Sequence, residues 1–390
     1  MRSSQKGKSN IGFLLLAFIS LIALYGAYRP KYVATLERTF WLTTKVVYEN
    51  KSTNETWTLR DEDVTIGLFM NNSWQEVYLV YTSYPIKKFS NDSDGNTVIL
   101  LDVGDMKVPP GRRLSYLVTY RLVFKERSIP IISEDLSGEL DDIPLELKEK
   151  FCKPTSLWHF NVTEIRELAQ EIAGGERRVL TILKEFISWI ARNIHYATSE
   201  VPRYPNETIN QRLGDCDDQA NLLITLCRAV GIPAYLQIGC IYIPGLHRSF
   251  VYWSGHLMIR QTGIGWHGWA MVYVPPWGWL PVDLTYVHAD LKVEPLSAIL
   301  HSAVIEHYTF QYSNITVSDY ISEIVSIKKF IEKSMFYICK DDFMDLEKSV
   351  MVPRPPLVKL VHPAVIVLRL FTITAMRRRY IYWDANSLYS

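Results

Sequence analysis

An excess of charge of either sign is missing from this chain: 42 lysines and arginines stand against 41 aspartates and glutamates, for a formal net charge of +1. That balance removes the electrostatic case for a nucleic-acid partner. Cysteine is sparse, with five in 390 residues, too few for a disulfide-stapled scaffold. Cys-x-x-Cys and His-Glu-x-x-His are absent, and the nine histidines lack zinc-type spacing, so neither a metal nor another cofactor is expected. No internal repeat or low-complexity tract interrupts the chain. Apolar residues nevertheless make up 48% of it and aromatics 13%, the composition of a well-cored folded protein. Its length leaves room for two domains beside any membrane segment.

Long hydrophobic runs are also scarce, and the clearest lies at the start. Residues 1–10 carry Arg2, Lys6 and Lys8, and 11–28 is an uncharged apolar stretch long enough to cross a bilayer. The basic flank predicts a cytosolic N-terminus and export of everything after it, a single-pass arrangement at the cell membrane. A cleaved signal peptide is the alternative, but no clean pair of small residues stands near Tyr25–Tyr28, so the reading is an uncleaved signal anchor. Sequons at Asn50, Asn54, Asn71, Asn91, Asn161, Asn206 and Asn314 agree with export and a glycosylated extracellular surface. A second apolar segment, 364–376, precedes Arg377-Arg-Arg379. It is short, and Arg369 in its middle would cost about 2.5–3.5 kcal/mol on insertion scales. A packed or interfacial helix is expected there rather than a second span.

Between these ends the texture changes twice. Residues 30–127 hold β-branched and aromatic runs at Val46–Tyr48, Glu76–Tyr81, Val98–Leu101 and Leu114–Phe124, separated by turn residues at Asn91–Asn96 and Pro109–Gly111. That spacing predicts an antiparallel β-sandwich module. Residues 128–150 are acidic and proline-containing, a linker into a domain over 151–330. Residues 331–390 form a C-terminal extension broken by Pro353-Arg-Pro-Pro356.

The chemistry concentrates in the run Arg212-Leu-Gly-Asp-Cys-Asp-Asp-Gln-Ala220. Cys216 opens a segment with Ala220, Leu223, Leu226, Cys227 and Val230 at helical spacing, and Gly231 supplies the stop. A free thiol has a pKa near 8.5 and needs its thiolate stabilised to attack at neutral pH. A helix N-terminus and a neighbouring imidazolium both help; Asp215, Asp217 and Asp218 oppose by like-charge repulsion, which makes an ion pair with a histidine more necessary. His267 lies in Trp266–Val274, which reads as a strand. The Pro275-Pro-Trp-Gly278 turn then leads into a second strand, Trp279–Asp283. Antiparallel pairing across that turn would set Asp283 beside His267 to fix its tautomer. Cys216, His267 and Asp283 are thus the parts of a nucleophilic triad working through a thioester.

These residues resemble the transglutaminase-like superfamily of papain-like thiol enzymes, in its membrane-anchored microbial type. The resemblance rests on a Gly-x-Cys helix start at Gly214–Cys216, an Arg-Ala-x-Gly-Ile-Pro exit at Arg228–Pro233, His267-Gly-Trp269, and Gly278-Trp-x-x-x-Asp283-x-Thr285. It implies an α+β fold in which a nucleophile helix packs on an antiparallel sheet. It further implies Cys216 as nucleophile, His267 as general base and acid, and Asp283 as the orienting carboxylate. The amphipathic pattern Val179, Leu183, Phe186, Ile187, Ile190 and Ile194 matches the helix that precedes the nucleophile in that family. An oxyanion donor should pair with the Cys216 amide; Tyr196 and Gln211 are the candidates.

Plainer readings hold elsewhere. Cys227 reads as a small buried apolar residue. Cys152, Cys227, Cys240 and Cys339 either form up to two disulfides or stay unpaired. The remaining histidines read as core or surface, with His256 the fallback base. Two function classes follow: an exported thiol enzyme acting on protein or peptide amides, with hydrolysis favoured over lysine cross-linking, or a cell-surface peptide-binding or scaffolding protein without turnover.

Overall fold

Along Arg38–Asn50 every residue with an inward side chain is apolar or closes a hydrogen-bond network. Phe40, Leu42, Val46 and Tyr48 are buried, and Thr44 on the same face donates to the buried Asp342 at 2.6 Å, the period of two that a half-buried strand requires. The computed structural model describes residues 38–161, 163–287 and 294–347. The expected span at 11–28 and the apolar segment 364–376 lie outside them. No described helix is long and apolar enough to cross a membrane.

The first part of the chain gives β1 (Arg38–Asn50), β2 (Trp57–Thr58), β3 (Thr65–Gly67), β4 (Gln75–Thr82), β5 (Ile86–Asn91), β6 (Thr97–Leu101), β7 (Lys107–Val108) and β8 (Arg113–Phe124). The short β9 (His195–Tyr196) and β10 (Leu213–Gly214) flank the helix Pro205–Gln211. After the helix Cys216–Ala229 come β11 (Ala234–Tyr252), β12 (Leu257–Val274) and β13 (Gly278–Val282), then β14 (Thr309–Ile315) and β15 (Phe336–Leu346).

One eight-stranded sheet runs β14-β11-β12-β15-β1-β8-β4, with β13 added to β12. The β-rich region read from the sequence is therefore joined through β15 to β12, the strand that carries His267. The residues after 330 enter that same sheet: β15 pairs antiparallel with β1 along its length and parallel with Leu257–Thr262 of β12. A three-stranded sheet, β3-β6-β5, shares a buried core with the first strands through Val64, Ile99, Leu101, Phe40, Leu42 and Tyr120.

A second core holds the helices. Helix Val179–Asn193 buries Val179, Leu180, Ile182, Leu183, Phe186, Ile187 and Ile190, the stripe its sequence spacing predicts. Helix Cys216–Ala229 is buried from Asp218 to Arg228, because it is sandwiched between that helix and the sheet. Each of its enclosed leucines contributes roughly 1.5–3 kcal/mol. The helix ends at Gly231, whose φ of 85° is a left-handed conformation natural only to glycine. Arg228 of the exit motif is 2% exposed. Its Nε donates to the Ala234 carbonyl at 2.8 Å and its guanidinium lies 4.0 Å from the Trp158 ring centroid. That ties the helix exit to β11.

All five cysteines are free thiols. Of the seven sequons, Asn50 is fully buried, and its Nδ2 donates to the carbonyls of Glu55 and Val108 at 2.7 and 2.8 Å. That amide is not available to a glycosyl transferase in the folded chain. Asn54, Asn71, Asn91, Asn161 and Asn206 are exposed.

Candidate active site

β12 is covered on one edge by β11. Its other edge is covered by β15 over Leu257–Thr262 and by β13 over Ala270–Val274, so among the described residues no strand pairs that edge from Gly263 to Trp269. The start of helix Cys216–Ala229 docks at this opening. The Gly268 backbone N–H donates to the Cys216 sulfur, and a Cβ on Gly268 would come within 2.9 Å of the Asp217 Cβ. Glycine at 268 is what allows the helix start and the strand to approach this closely. Upstream, β9 and β10 hold the same helix start from behind, pairing Tyr196 with Gly214, two residues before the thiol.

Asp283 follows β13 and is 1% exposed. Its Oδ2 lies 2.8 Å from His267 Nε2 and also accepts the Ala303 N–H at 3.2 Å. Its Oδ1 accepts the Thr285 amide and hydroxyl at 3.1 and 2.7 Å. The hairpin β12–β13 therefore brings His267 and Asp283 together, and the thiol contacts the residue next to His267. His256 is placed elsewhere: its Nδ1 meets the Phe336 carbonyl at 2.8 Å and its ring stacks on Tyr337. Gln211 is exposed, and its Oε1 accepts Arg203 Nε at 3.0 Å.

The electrostatics divide the trio. Burial alone would lower the His267 pKa, but the charge and hydrogen bond of Asp283 outweigh it and leave the imidazole raised. Burial alone would raise Asp283, and His267 and Thr285 together hold it below the ordinary carboxylate value. The thiol goes the other way. Burial, then Asp217, then Asp215 push Cys216 up, against the Gly268 N–H. Helix-start stabilisation of the thiolate, expected from sequence, is thus outweighed by desolvation and by the aspartates that cap the helix.

Those aspartates are differently bound. Asp218 is buried, ion-paired with Arg203 at 2.8 Å, and raised to about 6 by burial. Asp215 is pushed up by burial, with Asp217 and Asp218 beside it. Asp217 accepts the Tyr320 hydroxyl at 2.7 Å, and Tyr320 in turn accepts from Asn221 Nδ2 at 2.8 Å. The thiol lies 3.8 Å from Asp217 Oδ1. Asp215, Cys216 and Asp217 have ligand atoms within 4.8 Å of one another, the only such group of potential metal ligands among the described residues. It holds no histidine.

Replacing Asp217 by asparagine keeps a partner for Tyr320 and removes the foremost anion facing the thiol. The Cys216 pKa should fall, and iodoacetamide alkylation of Cys216 at pH 8 should speed up about three- to tenfold, since each pKa unit is a tenfold change in thiolate. Peptide mapping by mass spectrometry reads the rate; an unchanged or slower rate would show that Asp217 does not hold the thiol protonated.

Trp158, Arg228 and Tyr320 brace this helix and were not singled out as functional in the sequence. Arg228 had a signal, a cationic residue in an otherwise apolar helix exit, whereas Tyr320 lies 103 positions from its partner Asp217.

Residues 166–284 match the family model of the transglutaminase-like superfamily. No curated protein matches the chain. Among solved structures, the chain is similar to a Cytophaga hutchinsonii protein provisionally named a cysteine protease, at 17% identity and TM-score 0.47, covering 83% of this chain and 94% of that one. It is also similar to the periplasmic domain of TgpA from Pseudomonas aeruginosa, at 15% identity and TM-score 0.33, covering 66% and 93%. Legionella pneumophila LapG follows at 19% identity and TM-score 0.25, covering 47% and 99%. These likenesses are too loose to transfer the role of any residue.

Proposed function

We propose that the transglutaminase-like domain matched over residues 166–284 is a thiol enzyme acting on amide bonds of proteins or peptides. Cys216 is its nucleophile, His267 its general base and acid, and Asp283 the orienting carboxylate. The observation that carries this reading is the 2.8 Å bond between His267 Nε2 and Asp283 Oδ2, made on the strand whose next residue donates to the Cys216 sulfur. With Nε2–H directed at Asp283, the neutral ring presents Nδ1 as the nitrogen able to accept the thiol proton.

In the reaction, the thiol proton passes to His267 as sulfur bonds to the substrate carbonyl carbon. His267 then returns the proton to the leaving amine as the C–N bond breaks, which leaves a thioester. Water, deprotonated by His267, adds to the thioester and releases a carboxylic acid and the free thiol. A primary amine in place of water would give a new amide, and water is favoured because the sequence offers no recognisable amine channel. The apolar stretch 11–28 with its basic flank supports placing the enzyme outside the cell on an N-terminal anchor.

One observation favours a second reading. The raised Cys216 pKa is what a peptide-binding protein with a silent thiol would show. The two separate when a library of peptide amides is incubated in ¹⁸O water, with and without excess primary amine. Hydrolysis gives ¹⁸O in the new carboxylate and little amine adduct. Amine adducts alone would make cross-linking the activity, and binding without cleavage would establish the second reading.

A further inference from the structure

We infer that Arg127 is a positioning residue for the His267–Asp283 pair, acting through the segment Ser302–Thr309. The inference rests on the triad reading above, and it concerns how the strands between Arg38 and Phe124 control that triad.

Arg127 follows β8 and leaves the strand-rich region. Its guanidinium lies over two rings of that region, 4.8 Å from the Phe124 centroid and 5.2 Å from the Trp74 centroid. Its two terminal nitrogens do not bond to that region. Nη1 donates to the Val304 carbonyl and Nη2 to the Thr309 carbonyl. The rigid fork of arginine thus spans two carbonyls of one segment, a geometry lysine cannot reproduce with a single ammonium.

That segment is the one that holds Asp283. Ala303 opens the short helix Ala303–Glu306, and its N–H donates to Asp283 Oδ2 at 3.2 Å, the oxygen that also meets His267. Thr309 Oγ1 closes the segment on itself by donating to the Ala303 carbonyl at 2.7 Å. Ala303 and Val304 are fully buried, so the segment has little freedom to shift without moving the carboxylate. The connection runs Phe124 and Trp74, Arg127, Val304 and Thr309, Ala303, Asp283, His267. Each link is a covalent bond, a hydrogen bond or a ring contact.

A purely structural role for Arg127 would cost stability alone. A positioning role also changes what His267 feels, because the pull of Asp283, joined by a smaller one from Asp217, is what raises the imidazole against its burial; His307, in the same segment, also feels both groups. Loosening the carboxylate should let the His267 pKa fall.

The test uses full-length protein with ¹³C-labelled histidine rings, titrated by NMR, beside kinetics on a cleavable peptide amide. Three variants are compared: Arg127→Lys, Arg127→Met and Ala303→Pro. Proline is tolerated at a first helical position and removes the N–H that donates to Asp283, while its ring adds bulk at this buried place. Ser302 already has the extended backbone, φ −56° and ψ 151°, that a residue before proline prefers. The expected result is a lowered His267 pKa in all three variants, smallest in Arg127→Lys, and a fall in kcat of about ten- to a hundredfold with KM little changed. If Arg127→Met does not fold, the other two carry the result. Folded variants with an unmoved His267 titration, or a loss confined to KM or to thermal stability, would overturn the inference. An inactive wild type whose His267 still shifts on substitution would sink the enzymatic reading and leave the tether from Arg127 standing.

Discussion

Replacing Cys216 by alanine should lower amide turnover by on the order of 10⁴-fold or more, with KM little changed. The loss is large because the attacking atom itself is removed, and the residual rate would come only from groups that bind and polarise the substrate. The fold should survive. Cys216 is only half-buried at the first position of its helix, and alanine is the best helix former. The bonds among His267, Asp283 and Thr285 do not involve the thiol. Circular dichroism and a thermal melt establish the fold, and a discontinuous peptide assay reads the rate. Turnover within tenfold of wild type would show that another residue does the chemistry.

Asp283→Asn should be the next most damaging change, approaching the loss of about 10⁴-fold in kcat that the same change in a triad carboxylate costs on another fold. An amide preserves the size of the side chain but removes the charge that stabilises an imidazolium, and it can present a donor to Nε2 and force the wrong tautomer. The pH profile gives the sign. In the wild type the imidazole is raised, so the neutral base accumulates, and turnover climbs, only above the ordinary histidine value of about 6.5. In Asp283→Asn only Asp217 is left to oppose burial of the ring, so the acid limb should move to lower pH while the plateau drops. A plateau that drops with no movement of the limb would mean that Asp283 does not set the His267 pKa.

The parts of this arrangement that could be read in the sequence are those whose causes are local. Asp215 before Cys216 and Gly231 after Val230 mark both ends of the nucleophile helix within one run of residues. The Pro275–Gly278 turn dictates that Trp279–Val282 folds back on β12, and Asp283 arrives beside His267 as a consequence of that register. The stripe from Val179 to Ile190 is a helix for the same kind of reason.

What escaped depends on contacts distant in the chain. β15 carries Asp342 against Thr44, 298 positions away, and no turn or cap in between announces that pairing. Residues 331–347 therefore read as an extension although they complete the central sheet. Asn50 satisfies the sequon pattern yet spends its amide on two carbonyls inside the fold. The balance on the thiol was legible in sign, since three aspartates flank it, but not in outcome. Desolvation by the docking of the helix start against β12 comes first among the causes that raise it, and only the packing reveals that. Arg127 gave no sequence signal at all, because its meaning lies in carbonyls nearly two hundred residues downstream.

The central claim is that the half-buried thiol of Cys216, its pKa raised by desolvation and the neighbouring aspartates, becomes the attacking group when a substrate amide is bound beside His267. Its most direct measurement is labelling of the full-length protein with a peptide-amide probe bearing a thiol-directed electrophile, mapped by mass spectrometry in the wild type, Cys216→Ala and His267→Ala. The account predicts one adduct, on Cys216, absent in Cys216→Ala and formed at least tenfold more slowly in His267→Ala, with unlabelled peptide competing. Equal labelling of Cys152, Cys216 and Cys339, or a Cys216 adduct that forms as fast without His267, would contradict it.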